Sequence, residues 1–288
     1  MGIQDKGSSL PPRKGVKDLR RAGKIKKQPT SSRSRRIKES EFTLCGWNTC
    51  IRFFESRPRD LLRLFFSRQR SSQLGPVKKW CADHKLPYRQ LDAESLNKVA
   101  AGTHHEGVVM VVRPQEPLPI HPFIREGLGR RGMAVALDRI GNTHNVGAIL
   151  RTCAFFGADG LVLSSEEGQA DLTSSAARTA EGAMEVTPVY RCSDLSSTLR
   201  DFKSRNVFVI GADLEAELSI YDVEVRFPCV VVLGNEQDGL SVKIKKRCDQ
   251  VARIPGTDEV QSLNVSVAAG VILAHLCRRR DSGKQEPS

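Results

Sequence analysis

Met133-Ala134-Val135-Ala136-Leu137-Asp138-Arg139-Ile140 runs into Gly141-Asn142-Thr143-His144-Asn145-Val146-Gly147-Ala148-Ile149-Leu150-Arg151, and this stretch decides the fold. The first half is a short apolar run of strand length, whereas from Val146 to Phe156 the apolar residues recur at the helical period. Gly157 suits the end of that helix, and Gly160-Leu161-Val162-Leu163 reads as a second strand. The same alternation continues downstream. Strands are expected at Glu185–Val189, Val207–Ile210, Cys229–Leu233 and Val251–Ile254, and helices at Thr173–Glu181, Asp194–Ser204, Val242–Arg247 and Val265–Arg279. Strands separated by helices of this length form an open, mostly parallel α/β sheet covered on both faces. Ligands of such sheets sit beyond the C-terminal ends of the strands. The segments after Ile140, Leu233 and Ile254 are therefore the places to look for chemistry.

Upstream, residues 39–113 read as a smaller α/β unit. Phe42–Gly46 is strand-like and a helical stretch passes through Cys50, Ile51, Phe53 and Phe54. Leu61–Phe66 is a short apolar run after the turn at Pro58. Val77–His84 and Glu94–Ala101 are helical by period, and Val108–Val112 reads as a buried strand. This order implies a three-layer sandwich. Residues 114–130 open with Pro114, Pro117, Pro119 and Pro122, which favour extended backbone, so they read as a linker before a second domain at 131–280 and a tail at 281–288.

The formal charge of +12 is concentrated at one end. Residues 1–38 hold 13 Lys and Arg against Asp5 and Asp18, which leaves 32 basic and 31 acidic residues in the remainder. Such a stretch lacks the apolar groups that offset ordering entropy and is expected to be a disordered basic tail gripping phosphates. A solubilising leader or an organellar transit peptide is the alternative. No apolar run is long enough to span a bilayer, and the opening residues are too polar for a signal peptide. The cysteines at 45, 50, 81, 153, 192, 229, 248 and 277 stand singly, as expected of reduced thiols in a cytoplasmic protein. GxGxxG and GxxxxGK[ST] are absent, which leaves a dinucleotide or P-loop site unsupported. His104-His105-Glu106 lacks metal-site spacing and reads as a polar turn; no metal is expected.

In the first chemistry-bearing segment, Asn145 sits where a helix N-cap is expected, and Arg151 lies on a mostly apolar helix. An arginine there either snorkels to the surface or supplies a fixed cation to a site. In the second, Leu233-Gly234-Asn235-Glu236-Gln237-Asp238-Gly239-Leu240 carries a strand into a turn, where Glu236 is a ligand-orienting acid or a turn residue. In the third, Ile254-Pro255 is followed by Ser262-Leu263-Asn264-Val265-Ser266, whose polar residues cluster at the start of an apolar helix as caps would. All three fall on one edge of the sheet.

In order and position these segments resemble the three motifs of the SpoU (TrmH-type) branch of the SPOUT RNA methyltransferases. The resemblance covers about 133–280. Residues 39–113, ending in His105-Glu106-Gly107-Val108-Val109, resemble the L30e-like RNA-binding domain that precedes the catalytic domain in many members, with Glu106 where glutamine is more usual. The motif-one dipeptide, often Pro-Arg, is Thr143-His144. The resemblance implies a SPOUT domain ending in a trefoil knot, and a homodimer whose site is completed across the interface. It implies methyl transfer from S-adenosylmethionine to a ribose 2′-OH of rRNA or tRNA. The cofactor would be gripped by main-chain groups at Gly234, Ile254 and Leu263. Arg151 would place the target phosphate and stabilise developing charge, while Asn145, Glu236, Asn264 and Ser266 orient Arg151, the ribose and the cofactor. The alternative is an RNA- or ribosome-binding protein that kept the fold without the chemistry.

Overall fold

The computed structural model describes residues 41–257 and 259–282, so the basic tail and the last residues of the C-terminal tail lie outside the described residues. Two sheets organise the chain. The smaller has the order β1-β4-β2-β3, from Phe42–Cys45, Leu61–Phe66, Tyr88–Gln90 and Val108–Val112. Helices α1 (Trp47–Ser56) and α2 (Gly75–Asp83) bury Phe53, Val77 and Cys81 against one face with Leu64 and Met110. Helix α3 (Ala93–Ala100) covers the other, its Leu96 and Ala100 packing on Val109. The three-layer arrangement follows from β4, whose five residues are all buried. His105 takes the structural part expected of it: its Nε2 lies 3.0 Å from Asn97 Oδ1, and its Nδ1 accepts from Gly107 N at 3.0 Å.

The larger sheet has eight parallel strands in the order β10-β12-β9-β11-β6-β7-β8-β5. In chain order these are β5 (Leu118–Pro119), β6 (Met133–Leu137), β7 (Gly160–Ser164), β8 (Val189–Cys192), β9 (Phe208–Ala212), β10 (Leu218–Ser219), β11 (Cys229–Leu233) and β12 (Gln250–Arg253). Their side chains alternate between two layers as the pleat requires. Met133, Val135, Leu137, Val231 and Leu233 pack under α4 (Thr143–Phe156), α5 (Ser174–Ala180) and α8 (Val265–Ser282). Ala134, Ala136, Val230 and Val232 pack under α6 (Leu195–Lys203), α7 (Val242–Lys245) and Phe123. Each fully buried Val or Leu contributes about 1.5–3 kcal/mol, which fixes strand register against a one-residue slip. The direction of strand addition reverses beside β6, where β11 inserts between β6 and β9. That topological switch point opens the crevice.

The structure corrects three expectations. Residues 114–130 are more than a linker: β5 pairs with β8, and a helical turn at Ile120–Pro122 continues through Phe123–Gly127. Phe123 stacks on Tyr190 with ring centroids 4.0 Å apart, and an edge strand tolerates the prolines. The strand expected at Glu185–Val189 begins at Val189, because Ala183–Glu185 forms a 3₁₀ turn tied down by Glu185. That carboxylate accepts from Arg57 at 2.9 and 3.1 Å and from Ser56 Oγ at 2.8 Å, so it binds the small unit to the large one. Helix α8 runs to Ser282, past the expected boundary at 280.

Candidate active site

The segments after β6, β11 and β12 converge at the switch point. Asn142, not Asn145, caps α4, its Oδ1 accepting from His144 N at 2.9 Å. The expected N-cap role of Asn145 is thus overturned: capping at 142 moves Asn145 into the first turn, where it is buried and faces the other two segments. Asn145 Nδ2 donates to Glu236 Oε1, and Asn145 Oδ1 accepts from Asn264 Nδ2 at 3.1 Å. Asn264 Oδ1 in turn accepts from the Ser266 backbone N–H at 2.9 Å and from its hydroxyl at 2.6 Å. Four residues expected at the site, Asn145, Glu236, Asn264 and Ser266, therefore form one hydrogen-bonded chain.

Gly234, Ile254 and Leu263 line a cavity of about 340 Å³ next to this chain, and Glu236 belongs to both. Val260, Leu263 and Ile272 supply apolar walls. Gly234 admits no side chain, because a Cβ there would sit 2.4 Å from Gly239 C and 2.5 Å from Leu240 N. The turn that closes on it is a small bridge, with Asn235 N donating to Gly239 O at 3.1 Å and Gly239 N to Asn235 O at 3.0 Å. Asn235 Oδ1 accepts from Gln237 N at 2.8 Å, and Asn235 Nδ2 reaches back to Arg139 O at 2.8 Å.

Two buried carboxylates hold this turn from beneath, and neither is signalled by a motif. Asp138 accepts from Ser241 N at 2.7 Å. Asp213 accepts from Leu240 N at 3.0 Å and pairs with Lys245 Nζ at 2.9 Å. Burial pushes the Asp213 carboxyl up, but the Lys245 ammonium and the backbone N–H groups of Leu240 and Glu215 outweigh it and leave the group below the usual range.

Arg151 is the exception to the convergence. It lies six residues past Asn145, roughly 120° around the helix and ~9 Å along it. Its Nη1 pairs with Glu181 Oε1 at 2.7 Å, and among the described residues it makes no hydrogen bond to the other four. The expectation that these four orient Arg151 directly is corrected by that separation. His144 contacts Thr179 Oγ1 and Ser175 Oγ, each at 3.2 Å. No group of three His, Cys, Asp or Glu suited to a metal ion occurs among the described residues, and no helix there is long and apolar enough to cross a membrane.

Residues 132–274 match the SpoU rRNA Methylase family model, and residues 43–118 match one described as RNA 2′-O ribose methyltransferase substrate binding. An uncharacterized tRNA/rRNA methyltransferase of Mycobacterium avium (strain 104) is 31% identical over 283 residues, spanning 97% of this chain and 90% of its own. The chain belongs to the SpoU rRNA methylase family. This SpoU protein is an RNA methyltransferase by that membership, and solved structures share its fold. The SpoU methyltransferase AviRb from Streptomyces viridochromogenes, crystallised with AdoMet, is 23% identical with a TM-score of 0.69, over 88% of this chain and 96% of its own. An AdoMet-bound rRNA methyltransferase from Sinorhizobium meliloti is 22% identical with a TM-score of 0.71, over 86% and 91%.

Proposed function

We propose that this SpoU protein transfers a methyl group from S-adenosylmethionine to a ribose 2′-hydroxyl of rRNA or tRNA, as a cytoplasmic homodimer with a knotted SPOUT domain. The observation that carries the reading is the cavity beside the Asn145–Glu236–Asn264–Ser266 chain. Its volume lies in the range of small-molecule sites. The missing side chain at Gly234 lets the turn through Gly239 and Leu240 close against the cavity wall, where main-chain groups can meet an adenosyl group, while Ile254 and Leu263 complete the rim. The match at 43–118 supports RNA as the partner.

S-adenosylmethionine supplies an electrophilic methyl group on a sulfonium. The Glu236 carboxylate on the cavity wall favours a cationic ligand there. Asn145 fixes that carboxylate, and Asn264 and Ser266 lock Asn145 in turn. Alignment and exclusion of water then supply most of what methyl transfer needs. Arg151 is permanently charged and offers a planar fork, so it binds the target phosphate and stabilises charge on the attacking oxygen. That oxygen bonds the methyl carbon as the methyl–sulfur bond breaks to leave a neutral thioether, and the hydroxyl proton passes to solvent.

Phe155 supports a role for Arg151 in a neighbouring subunit. It stands four residues beyond Arg151 on the same face of α4 and is 82% exposed. A phenylalanine left in water beside an arginine marks a face that a second copy covers. Arg151 of one protomer then completes the partner's site. Mixed dimers test this. A dimer of one Arg151→Ala and one Asn264→Ala subunit retains one intact site if the arginine acts across the interface, and none if it acts within its own subunit. Activity near half of wild type is expected, and an inactive mixed dimer would refute the arrangement. Calorimetry with S-adenosylmethionine tests the cavity: binding that Gly234→Ala weakens is expected, and no binding by the wild type would favour an RNA-binding protein without the chemistry.

A further inference from the structure

Glu181 holds Arg151, yet the transfer itself gives Glu181 no task. It ends α5 in the left-handed conformation, with φ 46°, which few residues other than glycine adopt without cost. Helix α5 and the turn after it are clamped from both sides. From the small unit, Thr43 N donates to Ser174 Oγ at 3.1 Å, Arg178 Nη2 donates to Ala100 O at 2.8 Å, and Arg57 grips Glu185. Arg52 packs so close to Gly182 that a Cβ there would meet its side chain at 2.8 Å. From the other side, α4 presses on α5 at Gly147, where a Cβ would lie 2.4 Å from Ala176 O. Gly147 is one turn before Arg151. The carboxylate of Glu181 thus has its place set by the small unit on one side and by the arginine's own helix on the other.

We infer that Glu181 is a positioning residue for Arg151, fixing the guanidinium where a phosphate carried by the small unit arrives. The inference rests on the role given to Arg151 above. Glu181 meets the fork at Nη1, 2.7 Å away, and a guanidinium carries five N–H donors, so donors remain for an RNA phosphate. Without the carboxylate the half-exposed side chain samples many rotamers, and the productive one is rarely occupied when RNA is bound. The loss falls on the transfer step, because the four-residue chain and the cavity are built from other segments.

The test uses the full-length dimer with its RNA substrate and labelled S-adenosylmethionine. Glu181→Gln is expected to lower single-turnover transfer by about threefold to fivefold, the loss typical of one exposed ion pair. Half-saturating RNA and S-adenosylmethionine affinity should shift by less than about twofold. Glu181→Asp should recover most of the rate. In the mixed dimer with one live site, Glu181→Gln should slow transfer more in the subunit that lends Arg151 than in the other. Wild-type rate in Glu181→Gln, or an equal effect from either subunit, would overturn the inference. Full activity in Arg151→Ala would instead remove the reading beneath it, so the two failures are distinguishable.

Discussion

The bond between Asn145 and Glu236 joins residues 91 apart in sequence, and a double-mutant cycle measures what it does for transfer. Asn145→Ala removes two interactions. The bond to a carboxylate contributes ~1.5 kcal/mol, at the low end for charged acceptors because Glu236 is exposed, and the neutral bond to Asn264 contributes ~1 kcal/mol. If both are spent on alignment, the single variant loses about 2.5 kcal/mol, roughly 70-fold in rate. Glu236→Ala loses only the shared bond, roughly 13-fold. Because that bond is common to both, the double variant should be no slower than Asn145→Ala alone. The assay is single-turnover transfer at saturating S-adenosylmethionine, so that any contribution of Glu236 to cofactor affinity drops out. A double variant slowed by the product of the two effects, roughly 900-fold, would show that the residues act independently and would refute the coupled chain.

Further outcomes follow from the same geometry. Gly234→Ala drives a methyl group into the backbone of Gly239 and Leu240 and should weaken S-adenosylmethionine binding at least about tenfold by calorimetry; unchanged affinity would contradict the close turn. Gly147→Ala gains ~1 kcal/mol of helix propensity but forces α4 and α5 apart at ~1–3 kcal/mol, so the melting temperature should fall by a few degrees rather than rise. Asp213 carries a depressed carboxyl, so its stabilisation is present above the ordinary carboxylate value near ~3.9 and is lost as pH falls through the folded value. Asp213→Asn should therefore cost about 2 kcal/mol in urea denaturation at neutral pH, with the gap closing in acid. A gap independent of pH would refute the charge pairing with Lys245.

Where the sequence pattern was strong, the structure follows it closely. Cys229–Leu233 forms a strand over its whole expected length, because five apolar residues buried on both sheet faces leave no other period to adopt. At the start of α4, Asn142 holds the cap position that the pattern assigns to Asn145. The choice was made by packing that drew Asn145 inward against Glu236 and Asn264. The strand begun too early at Glu185 shows a long-range contact overriding local propensity, for the ion pair with Arg57 lies 128 residues away. Asp213 and Asp138 escaped notice for a related reason. Each is a single carboxylate at a strand end, and only the folded turn shows that it holds the backbone of Leu240 or Ser241. Arg151 was visible as an arginine on an apolar helix, but its partner Glu181 lies on a separate helix that no periodicity connects to it.

The most direct measurement offers the protein S-adenosylmethionine carrying a deuterated methyl group, together with unmodified rRNA and tRNA, and reads the digested nucleosides by mass spectrometry. The heavy methyl is expected on the ribose of one nucleoside, and it should be lost in Asn264→Ala. A heavy methyl on a base, or none on any RNA from a protein that binds S-adenosylmethionine, would contradict it.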